Sequence, residues 1–402
     1  MKQNPIFKYS DFRKLFISRI ISAIGDKFFS LSLVWFVISN YQGGYYLSLI
    51  MSAIFLPSVI FSPIMGTISD RYNKKTLMII ADLLRFLFLL ILFIILSTDN
   101  LSFKILFLAV FLNYTFSPLF ETSTASSLKI LTSDDDLPQA TAIDSASIGI
   151  SNVVGAALGS IFIAIIGFKG CVLINIIAYF ISFIFVYSIK RKLIIKSERQ
   201  SSYFNDLKDG FLYIKNKKNL ILKLLILFGI LNFFVSPILM LIPVIVKFIL
   251  EREVNWLAII ETFFAIGTFL ASYILSYKKD INKNIEYLMI TIIIFAISFL
   301  ATSYIKTAYL TTFLIFICGF SISAGNVLIL SYFQKNIDDE YKGRFFSLIN
   351  TIVYAIMPLS FVFNGLLIEK ITIKYTIIFN SLFALIIGLY GSIKFRSKNF
   401  SS

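Results

Sequence analysis

Residues 45–97 read YYLSLIMSAIFLPSVIFSPIMGTISDRYNKKTLMIIADLLRFLFLLILFIILS. Two apolar runs, about 45–68 and 76–97, flank a short polar loop. The hydrocarbon core of a bilayer, about 30 Å thick, is crossed by roughly 20 apolar residues as a helix. Each run has that length, so the stretch reads as a helical hairpin through a membrane. The pattern extends over the whole chain. Twelve spans are expected, at about 15–38, 45–68, 76–97, 103–127, 141–165, 171–189, 221–246, 256–277, 287–305, 309–333, 345–367 and 375–393. Of the 402 residues 58% are hydrophobic and only 15% charged, with a mean hydropathy of +0.85. Soluble domains carry about a quarter charged residues. The composition therefore excludes a soluble enzyme and a disordered chain.

The net charge of +15 fits membrane orientation better than nucleic-acid binding. With the N-terminus inside and the spans alternating, the segments facing outwards hold seven basic residues: Lys104, Lys169, Lys247, Arg252, Lys306, Lys370 and Lys374. Four more lie in spans or at their edges: Arg19, Lys27, Arg85 and Lys223. The other 26 of the 37 face inwards, which places both termini in the cytoplasm. The first run, from Leu15, is followed by no small-residue cleavage site and reads as a span, not a removable signal. Lys74-Lys75 after span 2 recurs as Lys278-Lys279 after span 8, 204 residues later, and Asp134-Asp135-Asp136 recurs as Asp338-Asp339-Glu340 at the same offset. Two landmarks in register imply a duplicated six-span unit, an arrangement used by transporters. The expected organisation is a bundle over 1–189, a linker over 190–220 and a second bundle over 221–402. Phe204, Leu207, Phe211 and Ile214 lie at helical spacing in the linker. They suggest either an amphipathic helix on the membrane surface or a solvated one.

Charges inside spans are costly, about 2.5–3.5 kcal/mol each, and so mark function or a partner. Asp26 falls near the middle of span 1 and is the foremost candidate for a proton- or cation-binding carboxylate. It reads alternatively as a partner for Lys27 or for another span. Glu261 in span 8 and Glu121 in span 4 could line a cavity. Asp82 and Arg85, at i and i+3, share one face of span 3 and are expected to pair there, near the inner end, in a structural or gating role. The chain has no His, hence neither the usual metal ligand nor the usual neutral-pH proton carrier. A desolvated carboxylate, its pKa raised, could carry the proton instead. Cys171 and Cys318 sit in apolar runs and read as packing residues. Neither a metal nor a cofactor is expected.

The loop between spans 2 and 3 carries Gly66, Asp70, Arg71, Lys74 and Lys75. Gly66 is expected to let helices approach closely, and Asp70 to accept amide bonds from another helix start. This pattern resembles the Gly-x-x-x-Asp-Arg-x-x-Arg/Lys-Lys loop of the major facilitator superfamily, and the chain is most similar to its macrolide-efflux and drug-exporter branch. Supporting stretches are SPLFETSTASSLKILTSDDDLPQATA, NWLAIIETFFAIG with Glu261, and FQKNIDDEYKGRFFSLINTIVYAIMPL with Gly343-Arg344. The fifth span has Gly155-Ala156, then Gly159, where drug antiporters often carry Gly-Pro, and the fourth span lacks their Arg. The resemblance implies an all-α membrane protein of twelve transmembrane helices in two six-helix bundles, working by alternating access. Asp70 and Arg71 would act in a cytoplasmic gate together with Lys74, Lys75, Asp82, Arg85, Gly343 and Arg344. The expected function is export of hydrophobic or cationic small molecules, macrolide-like drugs among them, by proton-coupled antiport. A permease or exporter for a nutrient, siderophore or lipid has the same fold and is the alternative. No GxSxG, GxGxxG or GxxxxGK occurs, so an enzyme or an ATP-fuelled pump is not expected. The expected partners are a small-molecule substrate, protons and membrane lipids, with no nucleic acid and a monomeric state. The expected location is the cell membrane.

Overall fold

A computed structural model describes residues 4–41, 44–98, 101–194, 203–217, 219–276 and 284–396; the side chains of 160, 203–206, 216, 217, 219, 284, 395 and 396 are outside that description. Among the described residues the regular structure is helical throughout. Eleven helical segments among the described residues are long and apolar enough to cross a membrane. The last, Asp339–Lys394, has 56 residues and breaks at Thr372, which makes twelve. Spans 1, 2 and 3 are Ser10–Asn40, Gly44–Arg71 and Lys74–Ser97. Span 4 is Phe103–Leu131, and spans 5 and 6 divide Leu137–Tyr187. Span 7 is Leu220–Ile249, span 8 Val254–Ser276, span 9 Ile285–Thr302 and span 10 Ala308–Asn336. Spans 11 and 12 divide Asp339–Arg396.

The breaks have local causes. Gly167 has φ 66 and ψ −173, outside helical space, and glycine takes that conformation at no steric cost. Thr372 takes φ 74, where a β-branched residue is strained, so packing on either side must hold it there. Both breaks fall in the gaps expected between spans 5 and 6 and between spans 11 and 12. Span 4 steps at Phe116, just before Pro118, and runs on to Leu131, beyond the expected end at 127. Span 7 breaks at Ser236-Pro237 and ends in a π-helical turn, Ile245–Ile249. Pro237 lacks the N–H that would bond the Phe233 carbonyl one turn back. Ser360 of span 11 supplies a donor instead, its Oγ 2.5 Å from that carbonyl.

The chain forms two compact units, Met1–Val37 with Leu49–Gln200, and Ile38–Ser48 with Ser201–Ser402. In the first unit a core of Phe12, Leu15, Leu77, Met78, Phe120, Leu128 and Val186 closes one end of the bundle. Above it, spans 1 and 5 meet at Gly155 and Gly159. A Cβ on Gly155 would stand 2.6 Å from Lys27 Cβ, and one on Gly159 3.2 Å from Leu31 Cδ2. In the second unit spans 8 and 10 meet backbone to backbone. A Cβ on Gly267 would strike the Phe316 carbonyl, and one on Gly319 the Phe264 carbonyl.

The linker contains one helix, Tyr203–Lys217. Of the residues expected to share a face, Phe204 lies outside the described side chains. Phe211 is exposed, while Tyr213 and Ile214 are buried in the core of the second unit beside Phe333 and Phe345. The Tyr213 ring stacks on Tyr341 at 4.1 Å, and its hydroxyl accepts the Asp338 N–H at 3.3 Å. This helix is therefore docked on the turn into span 11 and is not a free surface helix. Lys278 and Lys279, half of the repeat landmark, lie outside the described residues.

Candidate functional site

The site is a polar network inside the first unit. On span 1, Ser18, Ser22, Gly25 and Phe29 are buried at helical spacing, so that stripe faces the bundle interior. A Cβ on Gly25 would lie 2.7 Å from Ala178 Cβ and 2.5 Å from Asn175 Oδ1. Glycine is what lets spans 1 and 6 approach here. That approach brings Tyr179 onto Asp26, and the phenol donates a short hydrogen bond to Oδ1. Arg85 of span 3 donates from Nη2 to Asp26 Oδ2 at 2.5 Å. Its guanidinium also lies over the Tyr179 ring, 4.1 Å from the centroid. Arg85 is 1% exposed, whereas the Asp26 side chain keeps 26%. The guanidinium and the phenol are thus fixed parts of the wall, and the carboxylate is the part that water can reach.

This corrects the pairing expected within span 3. Asp82 and Arg85 share a face, but Arg85 forms its ion pair with Asp26, and Asp82 Oδ2 accepts from Ser182 Oγ at 2.6 Å. Ser182 in turn shares a hydrogen bond with Ser18 at 2.9 Å. Packing between spans sets the outcome, bringing Asp26 of span 1 within bonding distance of the guanidinium. The network is not saturated. Asp82 Oδ1, Arg85 Nε and the side-chain amides of Asn113 and Asn175 are buried with no hydrogen-bond partner among the described residues. Each such group costs about 1–3 kcal/mol. The spare donors and acceptors leave room for a second bonding pattern.

A second ion pair was not foreseen. Arg19 Nε lies 2.7 Å from Asp144 Oδ1, joining span 1 to span 5. Arg19 stands seven residues before Asp26, two turns away along span 1. Glu121 of span 4 is exposed. Glu261 lies on span 8, half-buried, in the other unit.

The loop motif is placed as follows. Asp70 and Arg71 end span 2 and are exposed. Asn73 caps span 3, its side chain accepting the Lys75 N–H at 3.1 Å. Lys74 is buried; its backbone N–H bonds the Leu193 carbonyl at 2.9 Å, and Lys75 Nζ bonds the Ile189 carbonyl at 2.6 Å. The loop is thereby tied to the segment after span 6. Close helix approach at Gly66 is corrected: a Cβ there meets nothing within 4 Å among the described residues, and the same holds at Gly343. Arg344 lies over Tyr341 at 5.4 Å, with its backbone against Gly210 of the linker helix.

The same end of the unit is strapped outside the spans. Lys8 Nζ is 2.6 Å from Asp136 Oδ2, and the Tyr9 hydroxyl donates to that oxygen at 2.9 Å. The Lys8 bond, with those of Tyr9 and Ser133, holds the Asp136 carboxyl below its ordinary range. The same contact lifts Lys8 above its own.

Twelve helical spans with ion pairs between spans of the first unit have the build of a membrane transporter. The chain belongs to the Major Facilitator Superfamily, whose sequence model matches residues 15–361. Macrolide efflux protein A of Streptococcus pyogenes is 23% identical over 373 residues, covering 90% of this chain and 91% of that protein. The putative bacilysin exporter BacE of Bacillus subtilis is 24% identical over 413 residues, covering 100% and 97%. The crystal structure of the nucleoside transporter NupG superposes with a TM-score of 0.77 at 14% identity, over 96% of this chain and 100% of that one, a likeness of fold alone. The drug-exporter resemblance of the loop and span motifs agrees with these relatives.

Proposed function

We propose that the protein exports hydrophobic or cationic small molecules by proton-coupled antiport, with Asp26 as the proton-carrying carboxylate. The observation that carries this reading is the Asp26–Arg85–Tyr179 cluster: a half-accessible carboxylate held by a buried guanidinium and a buried phenol. With Asp26 ionised, Arg85 is neutralised by it. A proton arriving on Asp26 removes that charge. Asp82, one turn away with Oδ1 unpartnered, can then take the guanidinium through its unpartnered Nε. The pairing read from the i, i+3 spacing becomes the second state of the switch. Swapping partners for Arg85 pulls span 3 against span 1 and gives the proton mechanical leverage on the bundle. Glu121, an exposed carboxylate on span 4, suits the positive group of a cationic substrate. Glu261 has a supporting role in the second unit.

The surrounding assignments belong to the same proposal. Asp70, Arg71, Lys74, Lys75, Gly343 and Arg344 act at the cytoplasmic gate. Both termini are cytoplasmic by the Lys and Arg asymmetry, and the membrane is that of the cell. Bundles over 1–189 and 221–402 are the moving bodies, with 190–220 as the linker. The protein works as a monomer, without cofactor or metal.

The test is accumulation of erythromycin and of a cationic dye in cells carrying the wild type or Asp26→Asn, with and without an uncoupler. Lower accumulation that both the uncoupler and the substitution abolish supports the reading. Lower accumulation that survives Asp26→Asn moves coupling away from Asp26. Unchanged accumulation of every compound, with the protein present in the membrane, removes the export reading for them.

A further inference from the structure

The second unit contains a narrow pocket between spans 7, 9 and 10, lined by none of the carboxylates considered above. Its walls are apolar, with Phe228 and Phe295 on facing spans, and no charged residue lines it. Four polar side chains also line it. The Thr291 hydroxyl donates to the Leu288 carbonyl at 2.7 Å, and the other three have atoms without a hydrogen bond among the described residues. Asn232 gives one amide N–H to the Phe228 carbonyl at 2.8 Å, which leaves its own carbonyl and a second N–H. The Ser321 hydroxyl has no partner although the residue is only 3% exposed. Asn326 is exposed and makes no side-chain hydrogen bond among the described residues. The space itself comes from Gly325, where a Cβ would stand 3.2 Å from Thr291 Oγ1 and 3.4 Å from Leu288 Cδ1.

Hydrogen-bonding groups that converge on one apolar slot can pair with the polar groups of a ligand that enters it. A charged group would enter with no counter-ion and lose its hydration, so ions are disfavoured. Two amides and a hydroxyl offer donors and acceptors together, which matches hydroxyl, amide or ester groups on an apolar frame. We propose that this pocket binds an uncharged apolar small molecule, or an uncharged arm of one, through Asn232, Ser321 and Asn326. It is a neutral-ligand site separate from the charged network of the first unit. The proposal takes its ligands from the export reading, but the binding itself does not depend on transport.

The experiment is equilibrium binding to the purified full-length protein with two radiolabelled probes. Chloramphenicol is uncharged and carries hydroxyl and amide groups on an aromatic ring. Tetraphenylphosphonium is a permanent cation that forms no hydrogen bonds. Gly325→Leu, which fills the slot, and Asn232→Ala are expected to weaken chloramphenicol at least about tenfold, leaving tetraphenylphosphonium within about twofold. Asp26→Asn should leave chloramphenicol unchanged. If Gly325→Leu also loses the cation, Asn232→Ala and Ser321→Ala, which remove only hydrogen-bonding atoms, decide by the same criterion. Equal chloramphenicol affinity in the wild type and these variants, or no binding to the wild type, overturns the proposal. A failed efflux assay leaves this binding result standing, so the two readings fail separately.

Discussion

The two units are built alike and furnished differently. Each holds six spans, and each has a break in helical conformation near the middle of its last long helix, at Gly167 and at Thr372. The first sets charge between its spans: Asp26 with Arg85, Arg19 with Asp144, and Asp82 on a serine pair. The second buries neutral groups in the corresponding interior. Asn380 donates to Asn364 at 2.5 Å and to the Thr376 carbonyl at 2.8 Å, and Asn364 donates to the Ser360 carbonyl at 2.9 Å. Amides can knit spans together, but they do not titrate. On the proposed reading, proton chemistry belongs to the first unit, and scaffolding with recognition of uncharged ligands to the second.

The largest test of that contrast removes the guanidinium. Arg85→Leu leaves Asp82 buried and Asp26 partly buried without a cation, and breaking a buried pair costs about 3–5 kcal/mol. Thermal unfolding in detergent should show a drop of many degrees, partly restored by adding Asp26→Asn; a single variant as stable as the wild type would break the comparison. In the second unit, Asn380→Leu strands Asn364 and should cost about 1–3 kcal/mol. Export by that variant should stay uncoupler-sensitive, and its loss would mean that the neutral cluster takes part in coupling.

The glycine contacts sharpen the comparison further. At Gly155 an added methyl meets the Lys27 side chain, which can move; at Gly267 it meets the Phe316 carbonyl, which cannot. Gly267→Ala should therefore lower folded yield well below that of Gly155→Ala, and equal yields would contradict the geometry. The smallest effect lies outside the membrane. Because the Asp136 carboxyl is held below its ordinary 3.8 and Lys8 above its ordinary 10.5, the strap persists across the neutral range. It weakens as pH falls through the depressed carboxyl value or rises through the elevated lysine value. Asp136→Asn should speed hydrogen exchange over residues 5–14 at pH 7 and leave exchange around Asp26 unchanged.

Spans, loop motif and family were legible in the sequence because apolar length and a charged loop are local signals. Asp26 was legible for the same reason, as a charge in the middle of an apolar run. Its partners were not. Arg85 points to Asp82 by spacing and to Asp26 only once spans 1, 3 and 6 are packed. Tyr179 is one of 20 tyrosines, and nothing adjacent in the chain marks it. Gly25, which sets the approach of spans 1 and 6, was the available hint, but a lone glycine in a span has many readings. Arg19 was visible as a charge in span 1, whereas Asp144 was hidden close to the start of span 5. Gly66 misled in the other direction, since its place in a family pattern does not require a close contact.

The central claim, that Asp26 carries the proton, is tested most directly by counting protons. Tetraphenylphosphonium is added to purified protein in weakly buffered solution near neutral pH, and the released acid is measured for wild type and Asp26→Asn. The account predicts that the wild type releases up to about one proton per cation bound, and that Asp26→Asn, still binding the cation, releases none. Equal release from both proteins would contradict it and place the proton on another carboxylate.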